Sequence, residues 1–192
     1  MNIESTFGTA TPVIGMVHLG PLPGAPKAAA DGAAAMQSVL EGAVADARAL
    51  ERGGVDGVLV ENFGDAPFHP DDVPKHTVAA TTRAATAVAD ATTLPIGINV
   101  LRNDAQAAVS VAAAVDAAFV RVNVHTGARV TDQGIVEGRA HETLRLRERL
   151  GVDVGIFADT DVKHSAPLTP EGYSAESFAD ATERGLADAV VA

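Results

Sequence analysis

Short apolar runs that end in polar or charged residues recur along this chain, and no other feature narrows its fold as much. Five can be read: Ile14-Gly15-Met16-Val17-His18, Val58-Leu59-Val60-Glu61-Asn62, Ile96-Gly97-Ile98-Asn99, Phe119-Val120-Arg121-Val122-Asn123 and Val154-Gly155-Ile156-Phe157-Ala158-Asp159. A sixth, Ala189-Val190-Val191-Ala192, closes the sequence. Strands covered on both faces read as continuous apolar runs, which marks a parallel sheet, and the chemistry of such sheets collects at the C-terminal strand ends. Strands are therefore expected near 13–18, 56–61, 95–100, 118–123, 152–158 and 187–191.

The intervening segments read as helices. Residues 36–52 carry Val39, Leu40, Val44, Ala47 and Leu50 at helical spacing and stop at Gly53-Gly54. Residues 73–91 are rich in Ala and Thr, Asn103 or Asp104 can cap a helix over 105–115, and 139–150 and 174–184 each end at a glycine. Strand–helix alternation specifies an α/β fold with right-handed crossovers. A doubly wound sheet would carry a Gly-rich phosphate loop after its first strand. Here that position holds Pro21, Pro23 and Pro26, which lack N–H donors, so a (β/α)8 TIM barrel is the better expectation. Such a barrel has eight strands and typically needs ~250 residues. This chain of 192 residues offers about six strands and five helices. The expectation is one domain over 1–192, an incomplete barrel whose last βα units are missing. Open first and sixth strands would leave Met16 and Val190 or Val191 exposed and would favour association of copies into a homo-oligomer.

Charge excludes some partners. A net charge of −11 argues against nucleic acid and against anionic lipid. Fifteen Asp and only three Lys, against eleven Arg, suit a protein from a salt-rich cytoplasm. The absence of Cys removes disulfides and thiolate chemistry. No signal-peptide pattern and no integral membrane segment can be read, so a cytoplasmic protein is expected.

Several stretches resemble the BtpA family: PVIGMVHLGPLPGAP at 12–26, GVLVENFGDAPF at 57–68, GINVLRND at 97–104, FVRVN at 119–123, ADTDVKHSAPL at 158–168 and RGLADAVV at 184–191. The resemblance runs through the whole chain in order. It implies a ribulose-phosphate-binding-type TIM barrel and members that continue past residue 192. Through the family's name it also implies a link to photosystem I biogenesis.

Strand parity selects the side chains that reach the barrel mouth. Arg121 and Asn123 share a face with Phe119, while Val120, Val122 and Val124 face the helices. The same alternation turns Met16 and His18, Leu59 and Glu61, Gly97 and Asn99, and Gly155, Phe157 and Asp159 inward. A buried Arg121 needs a carboxylate or an anionic ligand, and Glu61 and Asp159 are the candidates. The cluster Asp159-x-x-x-Lys163-His164 supplies an acid, an amine and an imidazole, groups suited to proton transfer. The expected catalytic residues are Asp159, Lys163, His164 and Glu61. His18, Asn62, Asn99, Arg102, Arg121 and Asn123 are expected to bind substrate. No metal-ligand spacing and no cofactor motif is present. His69, His76, His125 and His141 are expected on the surface. The function expected is acid–base chemistry of the isomerase, lyase or glycosyl-cleaving type on a small polar or phosphorylated sugar-like metabolite. The alternative is a non-catalytic biogenesis or stability factor for a membrane complex.

Overall fold

A computed structural model describes residues 1–168 and 178–191. The chain begins with a short helix, α1 (Ile3–Phe7), and then alternates strand and helix: β1 (Ile14–His18), α2 (Gly32–Arg52), β2 (Gly57–Glu61), α3 (Lys75–Ala89), β3 (Ile96–Asn99), α4 (Ala105–Ala114) and β4 (Phe119–Val122). A hairpin, β5 (Ala128–Thr131) and β6 (Gly134–Glu137), precedes α5 (Ala140–Leu150) and β7 (Gly155–Asp159). After β8 (Ser165–Pro167) come a π-helical turn, Asp180–Arg184, and β9 (Ala189–Val191).

The main sheet has six strands in the order β1-β2-β3-β4-β7-β9, every neighbouring pair parallel where a register is given. The order advances without reversal, as in a barrel and unlike a doubly wound sheet. The architecture is an incomplete (β/α)8 barrel, with β1 and β9 at the edges of the described sheet. All six expected strands are present, with ends shifted by up to three residues. The expected helices match to within four residues up to α5, and the short α1 adds to them. Of the expected segment 174–184, residues 174–177 lie outside the described residues, and the rest closes as a π turn in which Gly185 N–H donates to Asp180 O at 2.7 Å.

Two apolar layers hold the sheet. On its outer face Val17, Val58, Val60, Ile98, Val120, Val122 and Ile156 pack against α2, α3 and α4. α4 is almost wholly Ala and Val because most of its surface is covered, and Asp104 caps it by accepting from Ala107 N–H at 2.8 Å. On the inner face Leu59, Phe119 and Phe157 meet Phe7 from α1, which plugs the barrel floor. The Phe119 and Phe157 rings stack at 4.6 Å, and Phe7 meets Phe119 edge-on at 5.6 Å. Glycine makes room for them: a Cβ on Gly97 would lie 2.3 Å from the Phe119 ring. The Met1 ammonium pairs with Asp188 at 2.9 Å beside this floor.

Two features depart from expectation. β6-β5-β8 form a second, antiparallel sheet whose inner side buries Val136 against Val124 and Val162. Its strands are short, and its Asp132-Gln133 turn lacks the Asn-Gly or Asp-Gly pair that signals a hairpin, with Gly134 at φ +100° taking the left-handed turn position. His125 is not at the surface. It is 1% exposed, with Nε2 2.8 Å from Gly185 O, because the loop after β4 tucks beneath the π turn. Burial, the larger influence, and the nearby Arg147 lower its pKa, against the Gly185 contact that raises it.

Candidate functional site

The inward residues at the C-terminal strand ends form one connected polar layer. Register places His18 beside Glu61 and Glu61 beside Asn99 on adjacent strands. Arg121, inward from β4, donates to both oxygens of Asp159, from Nε to Oδ1 and from NH2 to Oδ2, each at 2.8 Å. Asn123 adds a third donor to Asp159 Oδ2 at 3.0 Å. Asn99 Nδ2 donates to Arg121 O at 3.1 Å and to Asn123 Oδ1 at 3.3 Å, tying β3 to β4. Glu61 completes the layer, its Oε2 4.0 Å from Arg121 and its Oε1 3.5 Å from His18 Nε2.

The two carboxylates occupy different environments. The Asp159 side chain is 2% exposed, yet both oxygens accept charge-assisted or amide hydrogen bonds. Glu61 is nearly as enclosed, but among the described residues its nearest charged partners stand back, His18 at 3.5 Å and Arg121 at 4.0 Å. Burial raises its pKa, opposed by the positive charges of Arg121 and His18 and reinforced by Asp159. For Arg121, burial lowers the pKa, but the hydrogen bonds and charge of Asp159, with Glu61, outweigh it and the net shift is upward. One carboxylate is thus held on three sides by donors while the other stands apart from them, a difference set by surroundings.

Above this layer lies a cavity of about 780 Å³. Its polar wall includes His18, Glu61, Arg102, Arg121, Asn123, Lys163 and His164, and Lys27 joins them from the loop after β1. Lys163 and His164 stand exposed on the loop after β7, His164 with φ +60°. Arg102 is 6% exposed and held from outside the barrel: its Nε donates to Gln133 Oε1 at 3.1 Å, and NH2 lies 3.5 Å from Asp132. Its guanidinium also sits 5.5 Å from the centre of the Phe68 ring. Asn62 lies beneath the loops, accepting from Leu101 N–H at 2.7 Å and donating to Asp65 at 3.1 Å, and does not line this cavity. Asn99 is 1% exposed and also lies below the cavity floor. Among the described residues no group of three His, Asp or Glu side chains is placed to hold a metal ion.

Several lining residues escaped the strand-end reading because they sit on loops. Lys27 follows a proline-rich stretch with no periodicity, and Asp132 belongs to the unforeseen hairpin. Phe63 sits in a single 3₁₀ turn, Phe63–Asp65, and stacks on His18 with centroids 4.4 Å apart. The sequence did carry one signal for it: an aromatic residue directly after a strand-end Glu61-Asn62 pair.

Fold and rim together define a TIM-barrel protein whose mouth carries an Arg-locked carboxylate beside a protonatable one. A BtpA family profile matches residues 9–192, and the chain belongs to that family. It is 52% identical over 180 residues to an uncharacterized protein of Thermococcus kodakarensis, covering 94% of this chain and 66% of that relative. It is 48% identical to the photosystem I biogenesis protein BtpA of a Synechocystis strain over 192 residues, all of this chain and 65% of the relative. The chain thus spans just under two thirds of the length of these relatives. Among solved structures, the N-acetylmannosamine-6-phosphate 2-epimerase of Clostridium perfringens aligns with a TM-score of 0.51 at 14% identity, covering 93% of this chain and 60% of that one. At that identity the match shows a shared barrel fold.

Proposed function

We propose that the rim performs acid–base chemistry on a small, phosphorylated sugar-like metabolite, in a reaction of the isomerase, lyase or glycosyl-cleaving type. The observation that carries this reading is Glu61, an enclosed carboxyl group with a raised pKa at the floor of a 780 Å³ cavity, 3.5 Å from His18 and 4.0 Å from Arg121. A carboxyl group tuned upward moves a proton near neutral pH more readily than an ordinary one. Asp159 fixes Arg121 so that the guanidinium can meet charge developing on substrate oxygen. Lys163 and His164 act from the loop after β7 as a second acid–base pair, and Lys27 and Arg102 attract the phosphate. Asn123 orients a substrate hydroxyl, while Asn99 and Asn62 hold the strands and loops that carry the site. The epimerase named above acts, by its name, on a sugar phosphate, and this agrees with the chemistry of the rim.

The test is proton exchange. Pentose, hexose and glycosyl phosphates are incubated with the protein in D2O and followed by proton NMR for exchange at carbon or for new anomeric signals. Glu61→Gln should slow any observed turnover by about a hundredfold or more while the fold survives. Turnover that is equal in the variant, or absent across the panel, refutes the proposal. The name of the Synechocystis relative favours a second reading, a biogenesis factor for a membrane complex. Among the described residues no helix is long and apolar enough to cross a membrane. That reading requires co-fractionation with membranes that Glu61→Gln leaves intact.

A further inference from the structure

The cavity has an apolar side as well as a charged one. Its volume of about 780 Å³ lies within the ~300–1,000 Å³ of sites that enclose drug-sized ligands. Beside its charged groups it is walled by Met16, Pro21, Phe63, Phe68, Leu101 and Val162. Phe63 stands out among them. The residue is 53% exposed although it lines the cavity, with the His18 ring stacked against its own. A lone exposed aromatic residue on a free loop would mean little. This one is fixed. Asp65 Oδ1 accepts from Leu22 N–H at 2.8 Å, Asp65 Oδ2 accepts from Asn62 at 3.1 Å, and Gly64 N–H donates to Leu19 O at 2.9 Å. The turn lies so close to the β1 loop that a Cβ on Gly64 would be 2.4 Å from Pro21 N. The ring is therefore held in place before any ligand arrives, which lowers the entropy cost of using it.

Resting on the acid–base reading of the same rim, we propose that the ligand is a nucleoside phosphate: its base stacks on Phe63, its sugar lies over Glu61 and Arg121, and its phosphate is met by Lys27 and Arg102. Every base has a π-face, so a fixed aromatic platform binds it without demanding one sequence of hydrogen-bond donors. The geometry supplies each part of such a ligand with a matching wall. The planar base meets Phe63, the ribose hydroxyls meet Glu61 and Asn123, and the phosphate meets cations on two separate loops.

The experiment compares AMP and UMP with ribose 5-phosphate, using the 192-residue chain, NMR titration for Kd and saturation transfer to locate contacts. The expected result is a Kd for AMP or UMP at least about tenfold below that for ribose 5-phosphate, the weight of one base–aromatic stack. Saturation transfer should be strongest at the base protons. Phe63→Ala should raise the nucleotide Kd to that of ribose 5-phosphate and leave the latter unchanged, and Phe63→Tyr should retain the preference. Equal Kd values for all three probes, or a nucleotide preference that survives Phe63→Ala, overturn this inference alone. Failure of all three to bind overturns the sugar-phosphate reading along with it. Since Phe63 is half exposed, its variants should melt with the parent, which separates lost binding from lost folding.

Discussion

Asp159→Asn is the sharpest probe of the rim. The change keeps the shape of the side chain but replaces one acceptor oxygen by a donor. In the parent, three N–H groups, from Arg121 Nε, Arg121 NH2 and Asn123 Nδ2, converge on the carboxylate at 2.8–3.0 Å. In the variant at least one meets another donor, and among the described residues Glu61, at 4.0 Å, is the counter-charge left to Arg121. Removing one partner of a fully buried pair costs about 3–5 kcal/mol. Because the Arg121 side chain is 23% exposed, water can recover part of the loss, and the lower end, about 3 kcal/mol, is the figure to expect. For a chain of this length that corresponds to a Tm lower by roughly 6–12 °C. Calorimetry at neutral pH and urea unfolding measure it. The companion variant Arg121→Met with Asp159→Leu removes both charges together and should cost less than Asp159→Asn alone, since no lone charge is left behind. A Tm shift under about 2 °C for Asp159→Asn, or a double variant as damaged as the sum of its single changes, would refute the reasoning.

Gly97→Ala should destabilise the chain by about 1–3 kcal/mol or prevent folding, because its Cβ would lie 2.3 Å from the stacked Phe119 ring, and the Tm of purified variant protein reports it. Glu61 and Asp188 should pull the pH dependence of stability in opposite directions. Glu61 has a raised pKa, caused first by burial, so its contribution is complete below the ordinary carboxylate value and is lost as pH rises through the raised one. Glu61→Gln should remove that loss and be at least as stable as the parent at neutral pH. Burial pushes Asp188 upward, but its bonds to Ile156 N–H and the Met1 ammonium, with Arg147, hold it below its usual range. Its contribution is present above the ordinary Asp value and is lost as pH falls through the lowered one. Tm measured across acid to neutral pH for Glu61→Gln and Asp188→Asn checks both signs, and a parallel response of the two variants contradicts the assignment.

The barrel was legible because two rules act together. Apolar runs covered on both faces gave the strands, and alternation gave the side that faces inward: Leu59, Phe119 and Phe157 join α1 in one cluster while Val58, Val60, Val120 and Ile156 join the helices. Arg121, Glu61 and Asp159 could be paired on paper because an inward Arg has few acceptable neighbours. Periodicity says nothing about loops. It could not show that Asn62 braces the turn bearing Phe63, that Arg102 answers to Gln133 and Asp132, or that Asp104 caps α4 while Asn103 bonds across to Val124. His125 was misplaced for the same reason. The residue that buries it, Gly185, is sixty positions away, and no local pattern records such a contact.

The hold of the hairpin on Arg102 makes the barrel and its mouth separable in heredity. The six strands share one register and a floor in which even an added methyl group at Gly97 collides, so substitutions there carry a structural cost. The β5–β6 turn has no such duty. Its residues touch Arg102 from the solvent side, and Asp132 is exposed enough to be exchanged freely. A change of one residue, or of turn length, at this tip can release or redirect a buried cation above the site while leaving every strand pairing untouched. Descendants of one ancestral barrel could thus diverge in the anions they accept through mutations at the edge of the molecule, well before any strand-end residue has to change.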